Sequence, residues 1–286
     1  MLKVLTELKY LFKRFVIIAN AAPAVLGFFI ALRYHDAYFT DYWLDFILLV
    51  VGALMIVGGA LTLNNWLEAD VDRLMERTKN RPTVTGTIPM PIILLIGIVL
   101  SFVGEVLLWL INWEVALYGF IGWFTYVVVY TMWTKRRFTW NTHIGSISGA
   151  VTPMMGWAVI DSTFHVIPIS IFIIMFLWQM PHTYAIAIRK QEDYTNSGLQ
   201  MLPVVKGKRV TIRRNAIYIA LLLFVPLMVR GYSSLFYILI TILNVAWFII
   251  ALAGFKATNI KKWANILFAS SLAYLLLMYT LYVVFA

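Results

Sequence analysis

Three oxygen-bearing side chains recur at intervals of four residues at the end of the second long apolar run. They are Asn64, Glu68 and Asp72. Residues four apart on an α-helix lie on nearly the same face, about 6 Å apart along the axis, so the spacing predicts a line of oxygen ligands. Mg²⁺ prefers one or two carboxylates together with substrate phosphate and water, so we expect a Mg²⁺ site here. Asp70 points to another face, where we expect an ion pair or a helix cap.

The same stretch is unusually charged for this chain, which is 13% charged overall. It contains four acids and four bases, and the bases Arg73, Arg77, Lys79 and Arg81 could hold the charge of a phosphate. An ordinary helix end with pairs within the helix is the alternative. We favour a site because Asn64 and Glu68 continue directly from an apolar run, where polar groups are costly and usually functional.

Two further stretches carry chemistry. The sixth apolar run ends in W-Q-M-P-H and continues to R-K-Q-E-D-Y, which places Gln179 and His182 in an apolar segment and Arg189 four residues before Asp193. Pro181 should break or kink this helix near a cavity. A histidine here can be a packing residue, but beside a glutamine and a proline we favour contact with a substrate.

After the fourth run, Lys135 and Arg136 could bind phosphate or an acidic cosubstrate, and anchoring at the membrane surface explains them equally well.

These residues must be positioned by membrane helices. The chain has 286 residues, is 62% hydrophobic and has a mean hydropathy of +0.84. Its apolar runs are about twenty residues long, which is the length of a membrane-spanning helix. Because the runs are continuous rather than alternating, a β-barrel is not expected. Without cysteine, the chain has no disulfide, thiolate metal site or cysteine nucleophile.

We predict an all-α membrane protein, a single domain over residues 1–286, with nine helices around a central cavity that opens at the cytoplasmic face. The predicted spans are 15–32, 43–63, 88–110, 115–133, 143–160, 166–187, 213–229, 234–254 and 264–285.

The distribution of basic residues predicts the orientation. Of the 23 lysines and arginines, all but Arg33 and Arg230 fall on one face of this arrangement, including Lys3, Lys9 and Lys13 near the N-terminus. Cytoplasmic loops are rich in such residues, so we expect a multi-pass protein of the cell membrane with its N-terminus inside and its C-terminus outside. The net charge of +10 is then explained by topology, and nucleic acid is not expected as a partner.

Five motifs together resemble a known family. E-R-T-x-x-R-P follows the acidic triplet at 76–82, K-R stands at 135–136, W-Q-x-P-H at 178–182, R-x-x-x-D-Y at 189–194 and M-L-P-V-V at 201–205. Over residues 50 to 215 the chain resembles the UbiA superfamily of intramembrane prenyltransferases and, within it, the branch that farnesylates haem.

The resemblance implies farnesyl diphosphate and haem B as substrates in the lipid bilayer, haem O as product and Mg²⁺ as cofactor. A downstream haem-modifying enzyme would receive the product. The implied roles are metal binding and catalysis by Asn64, Glu68 and Asp72, with Asp193 as a further catalytic residue; diphosphate binding by Arg77, Arg81 and Lys135; and haem binding by His182, Gln179, Arg136 and Arg189.

Three alternatives stay open. A related enzyme could prenylate an aromatic quinone precursor, but it should carry two Asp-rich motifs, and Arg189 stands where the second would begin. A membrane transporter should carry charges deep within several spans, whereas here they gather at one membrane face. A structural assembly factor without activity does not require the spacing of oxygen ligands.

Overall fold

The computed structural model describes residues 11, 12 and 14–286, so Lys3, Lys9 and Lys13 of the orientation argument lie outside the described residues. The helices in chain order are α1 (Arg14–Tyr34), α2 (Phe39–Leu67), α3 (Ala69–Asp72), α4 (Pro82–Thr85), α5 (Met90–Trp109), α6 (Trp113–Phe124, continued by a π-helix, Thr125–Thr134), α7 (Asn141–Ala150), α8 (Thr152–Trp157), α9 (Val166–Arg189), α10 (Gln191–Asn196), α11 (Leu202–Val205), α12 (Gly207–Leu222), α13 (Ser234–Ala253) and α14 (Ile260–Phe285).

Within the described part of the chain, eight segments are long and apolar enough to cross a membrane. The all-α membrane fold is therefore confirmed, but the count of nine spans is not. The segment predicted as the fifth span, 143–160, consists of two short helices, α7 and α8, that meet at Val151. Pro153 explains the break, because its ring would clash with the carbonyl of Gly149 in a continuous helix.

The helices form two packed groups. One hydrophobic core joins α1, α2, α6 and α8 around Phe28, Leu49 and Val115. The other joins α9, α12, α13 and α14 around Ile219 and Trp247. Side chains from α1 and α8 contribute to both cores, so these two helices tie the groups together.

The contact between α1 and α8 requires glycine. A Cβ atom on Gly27 would overlap the backbone carbonyl of Pro153, and one on Gly156 would overlap that of Ala24. Small residues let membrane helices approach this closely.

Helix α9 belongs to the second group and packs against α7, α12 and α14. It runs through Pro181 without ending there, so the expected break is absent. Neighbouring membrane helices commonly support a proline in this way. Its half-buried residues recur along one side and so form one accessible stripe on a buried helix. They are Phe172, Ile173, Phe176, Gln179, His182, Thr183, Ile186 and Arg189.

Candidate active site

The acidic triplet stays together although its helix ends early. α2 ends at Leu67, and Glu68 takes up φ −107° and ψ 15°. The four-residue hydrogen bonds nevertheless continue, because Glu68 N–H donates to the Asn64 carbonyl at 3.0 Å and Asp72 N–H to the Glu68 carbonyl at 2.8 Å. Asn64, Glu68 and Asp72 are all buried. The chain therefore bends at Glu68 and keeps all three side chains inside the protein.

The π-helix that continues α6 forms the facing wall. Its wide turns are seen where Lys135 N–H donates to the Tyr130 carbonyl five residues earlier, at 2.9 Å. The Thr131 hydroxyl donates to the Tyr126 carbonyl at 2.8 Å and accepts from Asn64 Nδ2 at 3.2 Å. Single π-turns are frequent at functional sites. Here the wide turns bring the Lys135 ammonium to 5.4 Å from the centre of the Tyr130 ring.

Each buried carboxylate of the triplet has one cation. Lys135 Nζ lies 2.6 Å from the carboxylate of Glu68, and Arg81 forms an ion pair with Asp72. Burial by itself lowers the pKa of Lys135, but the charge and hydrogen bond of Glu68 together with the phenols of Tyr126 and Tyr194 outweigh it, and the pKa is raised. Lys135, Glu68 and Arg81 all interact electrostatically with the phenol of Tyr126, so the two ion pairs belong to one cluster.

Asp70 lies outside this cluster, as its spacing predicts. Its carboxylate forms two hydrogen bonds of 2.8 Å with the guanidinium of Arg136, which also donates to the Leu67 carbonyl. The hydrogen bond from Arg136 is the main reason that the pKa of Asp70 lies below its usual value. Both side chains are exposed to a large extent, so the pair lies at the surface.

Further residues with an expected or newly seen role lie near the two buried ion pairs. Arg77 is exposed in the loop after α3, and Asp193 is half-buried on α10. Thr78, the threonine of the E-R-T-x-x-R-P motif, donates its hydroxyl to the Asp72 carbonyl at 2.8 Å and ties that loop to the acid. No role was assigned to Tyr126 and Tyr130 from the sequence, although these two tyrosines stand four residues apart and shortly precede Lys135.

The R-x-x-x-D-Y segment comes close to the first cluster. Tyr194 interacts electrostatically with Lys135. Val71 and Met75, which flank Asp72 in the chain, pack with Leu199 and Met201, which follow Tyr194. The loop that follows the acidic triplet and the loop that follows R-x-x-x-D-Y therefore meet at one end of the helix bundle.

His182 occupies a different position, between α9 and α14. Its ring stacks on Trp178 at 4.7 Å between centroids and lies 5.0 Å from Phe268. Nδ1 lies 2.8 Å from the hydroxyl of Ser271. The guanidinium of Arg189, two turns further along, lies 4.3 Å from the centre of the Phe268 ring. Aromatic rings thus surround an imidazole and a cation on the same side of α9.

Gln179 turns toward α7 instead. Its Nε2 donates to the Ser146 carbonyl at 3.1 Å and to the Met175 carbonyl at 3.2 Å. A Cβ atom on Gly149 would lie 2.5 Å from Gln179 Oε1, so the missing side chain makes room for the amide. The structure records no contact between the described atoms of Gln179 and His182, although both lie on accessible parts of α9.

An apolar cavity leads away from the charged cluster. Tyr126 lies both in its wall and within the electrostatic reach of Glu68 and Lys135. From there the cavity runs between the first group of helices and α7, and its wall is mostly aliphatic, aromatic or glycine. The lining residues are Asn20, Ile56, Val57, Ala60, Leu61, Tyr118, Gly119, Gly122, Trp123, Tyr126, Ser148, Gly149, Val151, Thr152 and Met155.

The donor set fits a cation that a substrate helps to bind. Among the described residues no group of three or more histidine, aspartate or glutamate side chains could hold a metal alone. Asn64, Glu68 and Asp72 supply two carboxylates and one amide, and Asp72 Oδ1 is buried without a hydrogen-bond partner among the described residues. Mg²⁺ often takes one or two carboxylates and completes its shell with phosphate oxygens and water.

Comparison with known proteins identifies the family. The model of the UbiA prenyltransferase family matches residues 16–278, and the chain belongs to that family. It is 41% identical to "Protoheme IX farnesyltransferase" from Oceanobacillus iheyensis over 280 residues, which cover 98% of this chain and 89% of the relative. It is 42% identical to "Protoheme IX farnesyltransferase 2" from Bacillus velezensis over 270 residues, 94% of this chain and 88% of the relative.

Solved structures share the fold. A digeranylgeranylglyceryl phosphate synthase structure matches with a TM-score of 0.80 at 16% identity and covers 99% of this chain and 98% of its own. A UbiA homolog from Archaeoglobus fulgidus, bound to GPP and Mg²⁺, matches with a TM-score of 0.60 at 16% identity over 93% of this chain and 99% of its own. The family expected from the motifs is confirmed, and the chain is a multi-pass membrane protein.

Proposed function

We propose that this prenyltransferase transfers the farnesyl group of farnesyl diphosphate to a vinyl group of haem B and so makes haem O. The relatives that bear this activity in their names align over nearly the whole chain. The observation that carries the proposal is the position of Tyr126, which joins a buried cluster of acids and bases to an apolar cavity. A diphosphate with a long hydrocarbon tail needs both environments side by side.

Asn64, Glu68 and Asp72 are the proposed Mg²⁺ ligands, in keeping with the Mg²⁺ found in a structure of the same fold. Bound Mg²⁺ would supply positive charge that stabilises the diphosphate as a leaving group. Arg81 and Lys135 lie in contact with the acids and would turn to the diphosphate oxygens, where their charge opposes the charge that develops as the allylic C–O bond breaks. Arg77, in the exposed loop, would contact the outer oxygens.

The cavity wall would protect the allylic cation. The mostly apolar lining would keep water away from the allylic cation before the acceptor attacks, and the rings of Trp123 and Tyr126 offer faces that attract a cation. Attack of the haem vinyl group on the cation forms the new C–C bond, and water then adds to the remaining carbon centre. Asp193 is the proposed acceptor for the proton that this water loses.

The porphyrin would lie along the accessible stripe of α9. His182 is the proposed partner of the haem iron, and Gln179 would contact the porphyrin edge from the same helix. Arg189 projects over Phe268 and would pair with one propionate. Arg136 would pair with the other propionate, and because Asp70 already holds it, the carboxylate would have to compete for that guanidinium.

We also propose that α7 and α8 together cross the membrane, so that the N-terminus and the loop with Arg77 face the cytoplasm and the C-terminus lies outside, and that the membrane is the cell membrane. The chain contains no cysteine, so single cysteines report on topology directly. Cysteines at Lys79 and Gly231 should be labelled by a membrane-impermeant maleimide from opposite sides of sealed vesicles. Labelling of both from the same side would refute this topology.

The activity is tested with membranes that contain the protein. Incubation with haem B, farnesyl diphosphate and Mg²⁺ should yield haem O by mass spectrometry, and EDTA should abolish the product. Formation of a prenylated quinone precursor and no haem O would favour the alternative substrate. We also propose that a haem-modifying enzyme receives haem O from this protein. Co-purification of such an enzyme with the haem O-bound protein would test this.

A further inference from the structure

The hydrogen bonds of Ser271 decide which nitrogen of His182 carries the proton. The Ser271 hydroxyl lies 2.6 Å from the Phe268 carbonyl, to which it donates, and 2.8 Å from His182 Nδ1. A serine has one hydroxyl proton. Both contacts can be hydrogen bonds only if Nδ1 carries a proton and donates it to Ser271 Oγ.

The alternative tautomer loses a hydrogen bond. If Ser271 donated to an unprotonated Nδ1, its bond to the Phe268 carbonyl would be given up. Ser271 is fully buried, so no surrounding water makes good that loss. The indole of Trp178 donates to the Ser271 carbonyl at 2.7 Å and holds this residue of α14 against α9.

Nε2 is therefore left with its lone pair. It makes no hydrogen bond with the described residues, and it is not among the fully buried polar atoms. The rings of Trp178 and Phe268 pack against the imidazole and limit its rotation, and the His182 side chain is half-buried rather than buried. A neutral imidazole with a fixed orientation and a free Nε2 is the state that binds a metal.

We propose that Ser271 is a positioning residue for haem, because it holds His182 in the tautomer whose Nε2 ligates the haem iron. This inference rests on the proposed function, in which haem is the acceptor substrate. It goes further by assigning the iron ligand to one atom and its orientation to a residue 89 positions away on the last helix. Removal of a residue that hydrogen-bonds to a metal-ligating histidine commonly lowers metal affinity about 10- to 100-fold.

The test is spectroscopic and uses the purified full chain with ferrous haem B. Resonance Raman should show an iron–imidazole stretching band that His182→Ala abolishes. In Ser271→Ala the band should shift to lower frequency, because Nδ1–H has lost its acceptor, and the Kd for haem should rise about 10-fold. Ser271→Thr keeps the hydroxyl, so its band should lie at the wild-type frequency.

Ser270→Ala is the matched control. Its hydroxyl makes the same kind of bond to the helix, to the Leu267 carbonyl at 3.0 Å, but does not reach His182, so band and Kd should stay at their wild-type values. Binding of inorganic pyrophosphate with Mg²⁺ by each variant shows that the chain is folded.

The outcomes separate the two proposals. An unchanged band in Ser271→Ala, with wild-type protein still making haem O, overturns the role of Ser271 and leaves the proposed function intact. A wild-type band that survives in His182→Ala overturns the assignment of the iron ligand. Wild-type protein that binds no haem refutes the proposed function itself.

Discussion

Two neighbouring cations, Lys135 and Arg136, should respond very differently to removal of their charge. Lys135 faces Glu68 in a pair whose side chains are 13% and 3% exposed. Arg136 faces Asp70 in a pair whose side chains are 38% and 65% exposed. Loss of one partner from a buried pair costs about 3–5 kcal/mol, since the remaining charge is left without compensation. Loss of an exposed pair costs about 0.2–1 kcal/mol.

Lys135→Met and Arg136→Met therefore form a matched comparison. Lys135→Met should lower the free energy of unfolding by about 3–5 kcal/mol, and Arg136→Met by about 1 kcal/mol or less. Glu68→Gln removes the stranded charge, so the double variant Glu68→Gln with Lys135→Met should recover most of the loss. Titration of the detergent-solubilised protein with SDS, followed by tryptophan fluorescence, measures all of these differences.

Equal losses in the two single variants would refute the reasoning, because they would mean that Glu68 is solvated once Lys135 is gone. A double variant no more stable than Lys135→Met would refute it as well, since the cost would then come from lost packing of the lysine stem. Either result would remove the support for a dry site around the acidic triplet.

Further predictions concern activity, packing and pH. Asp72→Asn should abolish haem O formation while the protein remains folded in the membrane; retained turnover would exclude Asp72 from the metal ligands. Gly156→Ala should cost about 3 kcal/mol on the SDS titration, whereas Gly58→Ala, whose Cβ would have its nearest contact at 3.4 Å, should cost nothing. Arg136 lowers the pKa of Asp70, so this carboxylate stabilises the fold above its ordinary pKa of 3.8 and ceases to do so as the pH falls through its lowered pKa. The stability difference between wild type and Asp70→Asn should disappear in that acidic range, and persistence of the difference would contradict the assignment.

Much of the fold was predictable because it depends on segment length and composition. A bilayer requires each crossing segment to satisfy its own backbone, so twenty apolar residues in a row indicate a helix without further knowledge. The exception is 143–160, which is apolar enough but contains Pro153. The sequence could not reveal that the pieces pack closely on α1, because that contact brings together Gly27 and Gly156, which are far apart in the chain.

The candidate site was predictable in part for a similar reason. The four-residue spacing of Asn64, Glu68 and Asp72 survives a bend in the chain because the local hydrogen bonds continue through it. The partners of these acids were harder to choose. Arg77 and Arg81 were equal candidates, yet Arg77 is exposed and Arg81 pairs with Asp72.

The sequence by itself determined the class of protein, most of the membrane helices and the one face that carries Asn64, Glu68 and Asp72, since these follow from local periodicity and composition. Only the tertiary structure decided that Lys135 turns inward while Arg136 turns to the surface, because a π-helix changes the register just before them. It also decided that the proton of His182 is set by Ser271 on the last helix. Burial and long-range hydrogen bonds arise when helices pack, and no pattern along the chain records them.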